Sequence, residues 1–194
     1  MDAIKRTVTL TGLRDMMLDR YAGDNVTQLE PQEKLYLDTD GKTLIFPIEN
    51  MISFLAAENT KSCVNMFGGK GWRDQGSAIK SCMVINPDPI VICDEKGKAK
   101  RFSKFVDILK RQPGDVYIKH AVAKIKKTAS IAVPNPKVRP VISLPWQITF
   151  TIDFLANEYI TEKTLRQYFE KGGIFIGLGT YRPVYGKFSV TQWE

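Results

Sequence analysis

The run Trp146–Phe154, WQITFTIDF, constrains this chain more than any other stretch. Trp146, Ile148, Phe150, Ile152 and Phe154 take every second position, and Gln147, Thr149, Thr151 and Asp153 take those between. Successive side chains of a strand point to opposite faces, so this strand has one buried and one wet face. The chain that carries it needs a sheet covered on one side only. At 194 residues and 43% hydrophobic content, there is enough apolar material for one core with an elaborated periphery.

The flanking patterns supply the rest of that sheet and its cover. Ile4–Leu13 is β-branched and threonine-rich and reads as a strand ending near Gly12. Residues 14–34 are irregular. KLYLDTDGKTLIFP places two short apolar runs around Asp40-Gly41, a strong hairpin signal. After Pro47, residues Ile48, Met51, Ile52, Leu55 and Ala56 share one helical face. SCMVINPDPIVIC gives two strands around Asn86-Pro-Asp-Pro89. A second helix is expected to begin after Thr161 as N-cap, with Ile160 and Leu165 as a hydrophobic staple and Gly172 as its left-handed stop. IFIGLG then reads as a returning buried strand, and GKFSVTQW as the last one. Without its insertions the order approximates β-α-β-β-α-β, an α+β ferredoxin-like arrangement with an antiparallel sheet and two main helices on one face.

The expected organisation is one domain over residues 1–194 with two insertions. Residues 60–80 show no period and hold four glycines, which predicts a long surface loop bearing Lys70, Trp72 and Arg73. Residues 94–145 predict a basic, protruding β-hairpin arm whose tip is VPNPKVRP, with three prolines and the cations Lys137 and Arg139.

The chain carries a net charge of +7, and the excess is local: residues 96–127 contain eleven basic residues against Asp107 and Asp115. Such a stripe marks a polyanion partner, the bland alternative being a solvated face. Its candidate phosphate contacts are Lys98, Lys100 and Arg101 in a lysine-rich turn and Lys124, Lys126 and Lys127 in the strand-like VAKIKK. The other concentration of unusual residues is GGIFIGLGTYRPVYGKF, where five of fourteen glycines surround Tyr181, Arg182, Tyr185 and Lys187. Gly177 and Gly179 could let a phosphate backbone approach peptide N–H groups while Arg182 forks onto phosphate and Tyr181, like Trp72, stacks on bases. The alternative is a tight turn at a sheet edge with Arg182 in a surface ion pair.

GGIFIGLGTYRPVYGKFSV, preceded by an amphipathic helix and an alternating strand, resembles the C-terminal glycine-loop pattern of the repeat-associated mysterious protein (RAMP) superfamily. LIFPIENMISFLAA resembles that superfamily's strand, proline and helix near the N-terminus. The likeness is nearest to the backbone subunit of CRISPR effector complexes and its phage- and plasmid-encoded relatives. It implies an RNA-recognition-motif-like core with a β-arm, polymerising along a guide RNA. The expected partners are therefore single-stranded RNA (or single-stranded DNA), further copies of the chain, and other effector subunits.

The chemistry points away from catalysis. Cys63, Cys82 and Cys93 are widely spaced and His120 is the one histidine, so neither a metal site nor another cofactor is expected. His120 alternates with Ile118 and Val122, which suggests a partly packed strand face, although a metal-independent RNA endonuclease built on it is the alternative. In the superfamily an aspartate in a loop can also serve, and Asp15, Asp19 and Asp24 follow the first strand. A third reading is a phage protein whose fold serves only protein contacts, as a decoy. No apolar run reaches the ~18 residues of a membrane span, and MDAIKRTVTL lacks a signal-peptide core, so a cytoplasmic protein without membrane contact is expected.

Overall fold

The computed structural model describes residues 3–24, 26–126 and 132–194. Its first element is β1 (Ala3–Gly12), followed by β2 (Met16–Met17), β3 (Ile45–Phe46) and α1 (Ile48–Ala56). Next come α2 (Cys63–Phe67), a single 3-10 turn at Gly69–Gly71 and α3 (Trp72–Cys82), which leads directly into β4 (Met83–Asn86) and β5 (Ile90–Cys93). The arm is β6 (Val116–Lys126) and β7 (Ala132–Ile142), and the chain finishes with β8 (Gln147–Leu155), α4 (Glu162–Phe175) and β9 (Phe188–Trp193).

The main sheet has the order β3-β5-β8-β1-β9, with β4 also pairing β8. β1 pairs β8 in antiparallel register, Val8 opposite Phe150 and Leu10 opposite Ile148, and β9 adds antiparallel to the other side of β1. With β4 and β5 counted as two pieces of one strand, this is the split β-α-β order of the ferredoxin-like fold. The alternation read in Trp146–Phe154 is observed: Trp146, Ile148, Phe150, Ile152 and Phe154 are buried. They pack with Phe54 of α1 and Phe169 of α4, whose ring lies 6.0 Å from Phe54, 5.8 Å from Phe150 and 5.9 Å from Trp193. The opposite face is wet and bonds through hydroxyls, Thr9 to Thr149 at 2.9 Å and to Gln192 at 2.8 Å, and Thr11 to Thr191 at 2.9 Å.

Three sequence expectations are corrected. Residues 60–80 are helical: Ser62 and Asn65 form a capping box at the start of α2, and α3 buries Gly76, Ala78 and Ile79. The glycines that hid the period stand at the break between the helices, where Gly69 has φ +63°, and at Gly76, buried within α3. The segment VPNPKVRP is not a tip but part of β7. Pro140 gives its carbonyl to the Leu18 N–H on the side away from β6, and Pro134 and Pro136 have the same parity. All three therefore direct their missing N–H to the edge that β2 covers only at Val141 and Ile142, where proline is tolerated.

The third correction concerns α4. Thr161 caps it as expected, accepting from the Thr164 N–H, and Ile160 and Leu165 are both buried. The helix nevertheless runs through Gly172 and Gly173 to Phe175, so IFIGLG is helix end and loop rather than strand. A Cβ at Gly172 would lie 2.5 Å from Phe54 Cζ and 2.6 Å from Cys63 Sγ, and one at Gly173 would meet the Phe188 carbonyl. Glycine is required there by close packing. The left-handed stop is Gly177, φ +78°, whose N–H bonds the Gly172 carbonyl at 2.8 Å.

This assigns opposite signs to two effects in one variant. Gly173→Ala gains helix propensity of about 1 kcal/mol but forces a methyl into backbone, at a cost of about 1–3 kcal/mol. The variant is expected to lower the midpoint of urea unfolding; a rise would show that the Phe188 carbonyl does not press on Gly173.

Candidate nucleic-acid interface

The site is organised by Asp15, in the link between β1 and β2. Its Oδ2 accepts from the Tyr117 hydroxyl at 2.9 Å and its Oδ1 from the Leu144 N–H at 3.0 Å. Its main-chain carbonyl accepts from the Gly186 N–H at 2.8 Å. One residue thereby ties the base of the arm, the β7–β8 junction and the C-terminal glycine loop together. Burial and the bond to Asp15 push the Tyr117 phenol above its ordinary pKa, so it stays a donor. Tyr185 packs against Tyr117 and is likewise raised, by burial first and then by the Asp15 charge. Tyr181 meets Tyr185 in a T-shaped contact at 6.1 Å.

The glycine loop, residues 176–187, is closed upon its own backbone. Leu178 N–H bonds the Gly186 carbonyl and Thr180 N–H the Met17 carbonyl, at 2.9 and 2.8 Å. Gly179 (φ +76°) and Gly186 (φ +72°) would direct a Cβ into the carbonyls of Met17 and Leu178, and Gly177 one into the Tyr185 carbonyl at 2.8 Å. The expectation that these glycines clear space for a ligand's phosphates is therefore corrected. They let two segments of this chain lie against each other, because a positive φ and the close approach both exclude a side chain.

The ligand-accessible surface lies beside the loop. One cavity of about 340 Å³ is lined by Lys61, Phe175, Gly179, Thr180, Tyr181 and Arg182. A second, of about 220 Å³, shares Gly179, Thr180 and Arg182 with it and adds Asp19, Tyr36, Asn50 and Ser53. A third, of about 570 Å³, shares Asp19 and extends to Arg20, Lys34, Pro136 and Lys137 on the flank of β7. Neighbouring cavities share these lining residues, so the three follow one another from the end of α4 to the flank of β7 as a segmented groove.

Arg182 stands where the first two cavities meet. Its guanidinium reaches the carbonyls of Gly177 at 3.5 Å and Lys61 at 3.4 Å. Among the described residues no carboxylate pairs with it. Burial pushes its pKa down from the ordinary value, so an approaching anion would recover electrostatic stabilisation that the protein does not supply. The surface ion pair considered for Arg182 is not what the structure has.

The other candidates are dispersed. Lys137, half-buried, lines the far cavity, and Lys187 is half-buried with its carbonyl taken by the N–H groups of Leu13 and Arg14. Lys70, Trp72, Arg73, Lys98, Lys100 and Arg101 line none of the three cavities. Arg139 is 8% exposed and its Nε bonds Asp19 at 2.7 Å. Lys100 is equally buried, donating to the Pro145 carbonyl at 3.1 Å, and Arg101 pairs with Asp40 at 3.0 Å. Within residues 96–127, Lys100 and Arg101 are thus committed to contacts inside the chain, as long basic side chains bury their stems and complete local turns. Trp72 packs on the core with Arg73 5.0 Å over its ring. Lys124 and Lys126 stand at alternate positions of β6, opposite Pro134 and Ala132; Lys127 lies outside the described residues.

Sequence reasoning missed Lys61, Asn50, Ser53, Arg20 and Lys34, since nothing in their spacing announces a groove that folding assembles. His120 is exposed on β6 opposite Val138, not part-packed as its alternation suggested. The three loop aspartates all have partners within the chain: Asp15 as above, Asp19 with Arg139 and, at 4.0 Å, Lys34, and Asp24 with the N–H groups of Val26 and Thr27. Among the described residues no group of histidine, cysteine and carboxylate side chains could hold a metal, and no helix is long and apolar enough to cross a membrane.

No family model matches the chain, and no curated protein matches it. Among solved structures, a chain of the cryo-EM structure of the Type III-B Cmr-beta bound to cognate target RNA superposes with a TM-score of 0.57 at 13% identity. The two chains share a fold. The match covers 99% of this chain and 60% of the other, so this chain spans about three fifths of that protein's length. At this identity the likeness is one of fold, a mixed α+β fold with antiparallel sheets.

Asp15→Ala removes two hydrogen bonds to a charged acceptor, each worth about 1.5–3 kcal/mol. A loss of about 3 kcal/mol or more is expected in urea unfolding. A loss below about 1 kcal/mol would show that Asp15 does not hold these segments together.

Proposed function

We propose that the chain is a non-catalytic subunit that binds single-stranded nucleic acid, a guide RNA, and assembles in successive copies along it with other effector subunits in the cytoplasm. The observation that carries this reading is Arg182: a half-buried guanidinium with no carboxylate partner among the described residues, at the meeting point of two cavities of the groove. Lys61 flanks it on one side, and Arg20 and Lys137 stand at the groove's other end, where Lys34 is held by the Val138 carbonyl. Such spacing of cations suits a sugar-phosphate chain followed without base readout. The fold likeness supports the reading, because the matching structure is described as bound to cognate target RNA.

The sheet's open face does not compete for this role. In RNA-recognition motifs that face stacks bases on aromatic side chains; here the corresponding positions of β1 and β8 carry Lys5, Thr7, Thr9, Thr11, Gln147, Thr149, Thr151 and Asp153. The strand is therefore assigned to the groove and the arm. Internal bonding of Asp15, Asp19 and Asp24 agrees with a holder rather than a nuclease.

Purified chain is expected to retain RNA that ribonuclease releases, and Arg182→Ala to weaken binding of a labelled single strand at least fivefold. Replacing Lys124, Lys126 and Lys127 together by alanine should flatten the dependence of log K on log salt by about 2, as each lost phosphate contact on a single strand removes about 0.7. Unchanged binding by Arg182→Ala would overturn the groove as the interface; an unchanged slope would remove the arm from it.

A further inference from the structure

We propose that the cavity between the end of α4 and the glycine loop is a slot for one unstacked base of the bound strand, held between the rings of Phe175 and Tyr181. This rests on the reading of the groove given above and specifies what the strand does at one end of it.

Two aromatic side chains are left accessible at one small cavity. Phe175, on the last turn of α4, meets Phe67 in a T-shaped contact at 6.3 Å and remains 58% exposed. Tyr181 lines the same cavity and remains 42% exposed. Its backbone has φ +55°, the left-handed region that a residue with a side chain seldom occupies. The loop imposes this conformation through the flanking bond from Thr180 N–H to Met17 and through the Tyr185 N–H, which donates to the Tyr181 carbonyl. The cavity holds about 340 Å³, at the low end of the roughly 300–1,000 Å³ that encloses organic ligands.

The chemistry of the walls selects the occupant. Rings alone would suit an apolar side chain of another protein as well as a base. Here Lys61 and Arg182 stand at the same cavity, with Pro183 closing it. Arg182 reaches only carbonyl oxygens, at 3.4 and 3.5 Å. A nucleotide presents a flat π-surface and, one sugar away, an anion; an apolar peptide segment leaves both cations unmatched. Stacking is indifferent to base identity, so the slot accepts any base and its position is set by the backbone held in the groove.

The test compares affinities of the full chain for oligouridylate and for a base-free ribose-phosphate strand of equal length, by fluorescence anisotropy. The wild type should favour the base-bearing strand by about 5- to 150-fold, the range for one stacked base. Tyr181→Ala, and Phe175→Leu, which keeps apolar bulk without a ring, should each reduce that ratio at least fivefold while leaving affinity for the base-free strand unchanged. A ratio unaltered in both variants overturns the slot and leaves the groove reading standing. So does an equal loss for both strands, which would make the rings supports of the loop. A change in oligomeric state without a change in ratio would assign the rings to a protein contact and likewise overturn the slot. Failure of the wild type to bind either strand would instead remove the groove reading, and the slot with it.

Discussion

The carboxylate of Asp15 is the interaction on which the functional end of this molecule depends. A half-buried carboxylate is held where protein donors replace the water it has lost, and here the two donors come from β6 and the β7–β8 junction, while the same residue's carbonyl receives the glycine loop. Removing any donor would leave part of the charge unsatisfied, so the segments are held in one mutual arrangement. Position rather than composition is what this accomplishes. Arg182 and Tyr181 reach the groove because the loop bearing them is fixed against the link that follows β1.

A second constraint is the one-sided sheet. Phe54, Phe150 and Phe169 close one face, and the threonines of the other face satisfy each other across strands. The outward positions of β1 and β8 carry no ring for a base to stack upon. Two exposed rings, Phe175 and Tyr181, stand at the end of α4 and in the loop after it. Helix, glycine loop and arm meet there because β1, β7 and α4 all finish near the segment that Asp15 organises.

The sequence was legible where one rule governs a residue. Alternation in Trp146–Phe154 and the cap at Thr161 needed only local geometry, and both are observed. Glycine was the least legible residue, because its uses look alike in sequence. Gly172 and Gly173 read as a helix stop but are packing positions against Phe54, Cys63 and Phe188, whereas the stop is Gly177. Glycines also concealed α2 and α3, whose periodicity is broken at their junction. Cations were legible as charge but not as available charge: Arg139 and Arg182 look equivalent in sequence, yet one is bonded to Asp19 and the other meets only carbonyl oxygens among the described residues.

By itself, the sequence determined the fold class, the alternating strand at its centre, the start of the last helix, and a tail in which arginine and tyrosines are set among glycines, because periodicity and capping act over a few residues. Tertiary structure alone decided which of many basic residues remain free, where the groove runs, and that Phe175 stands beside Tyr181. Those outcomes depend on contacts between residues more than a hundred positions apart, such as Arg139 with Asp19 and Arg182 with Lys61, and no local pattern records them.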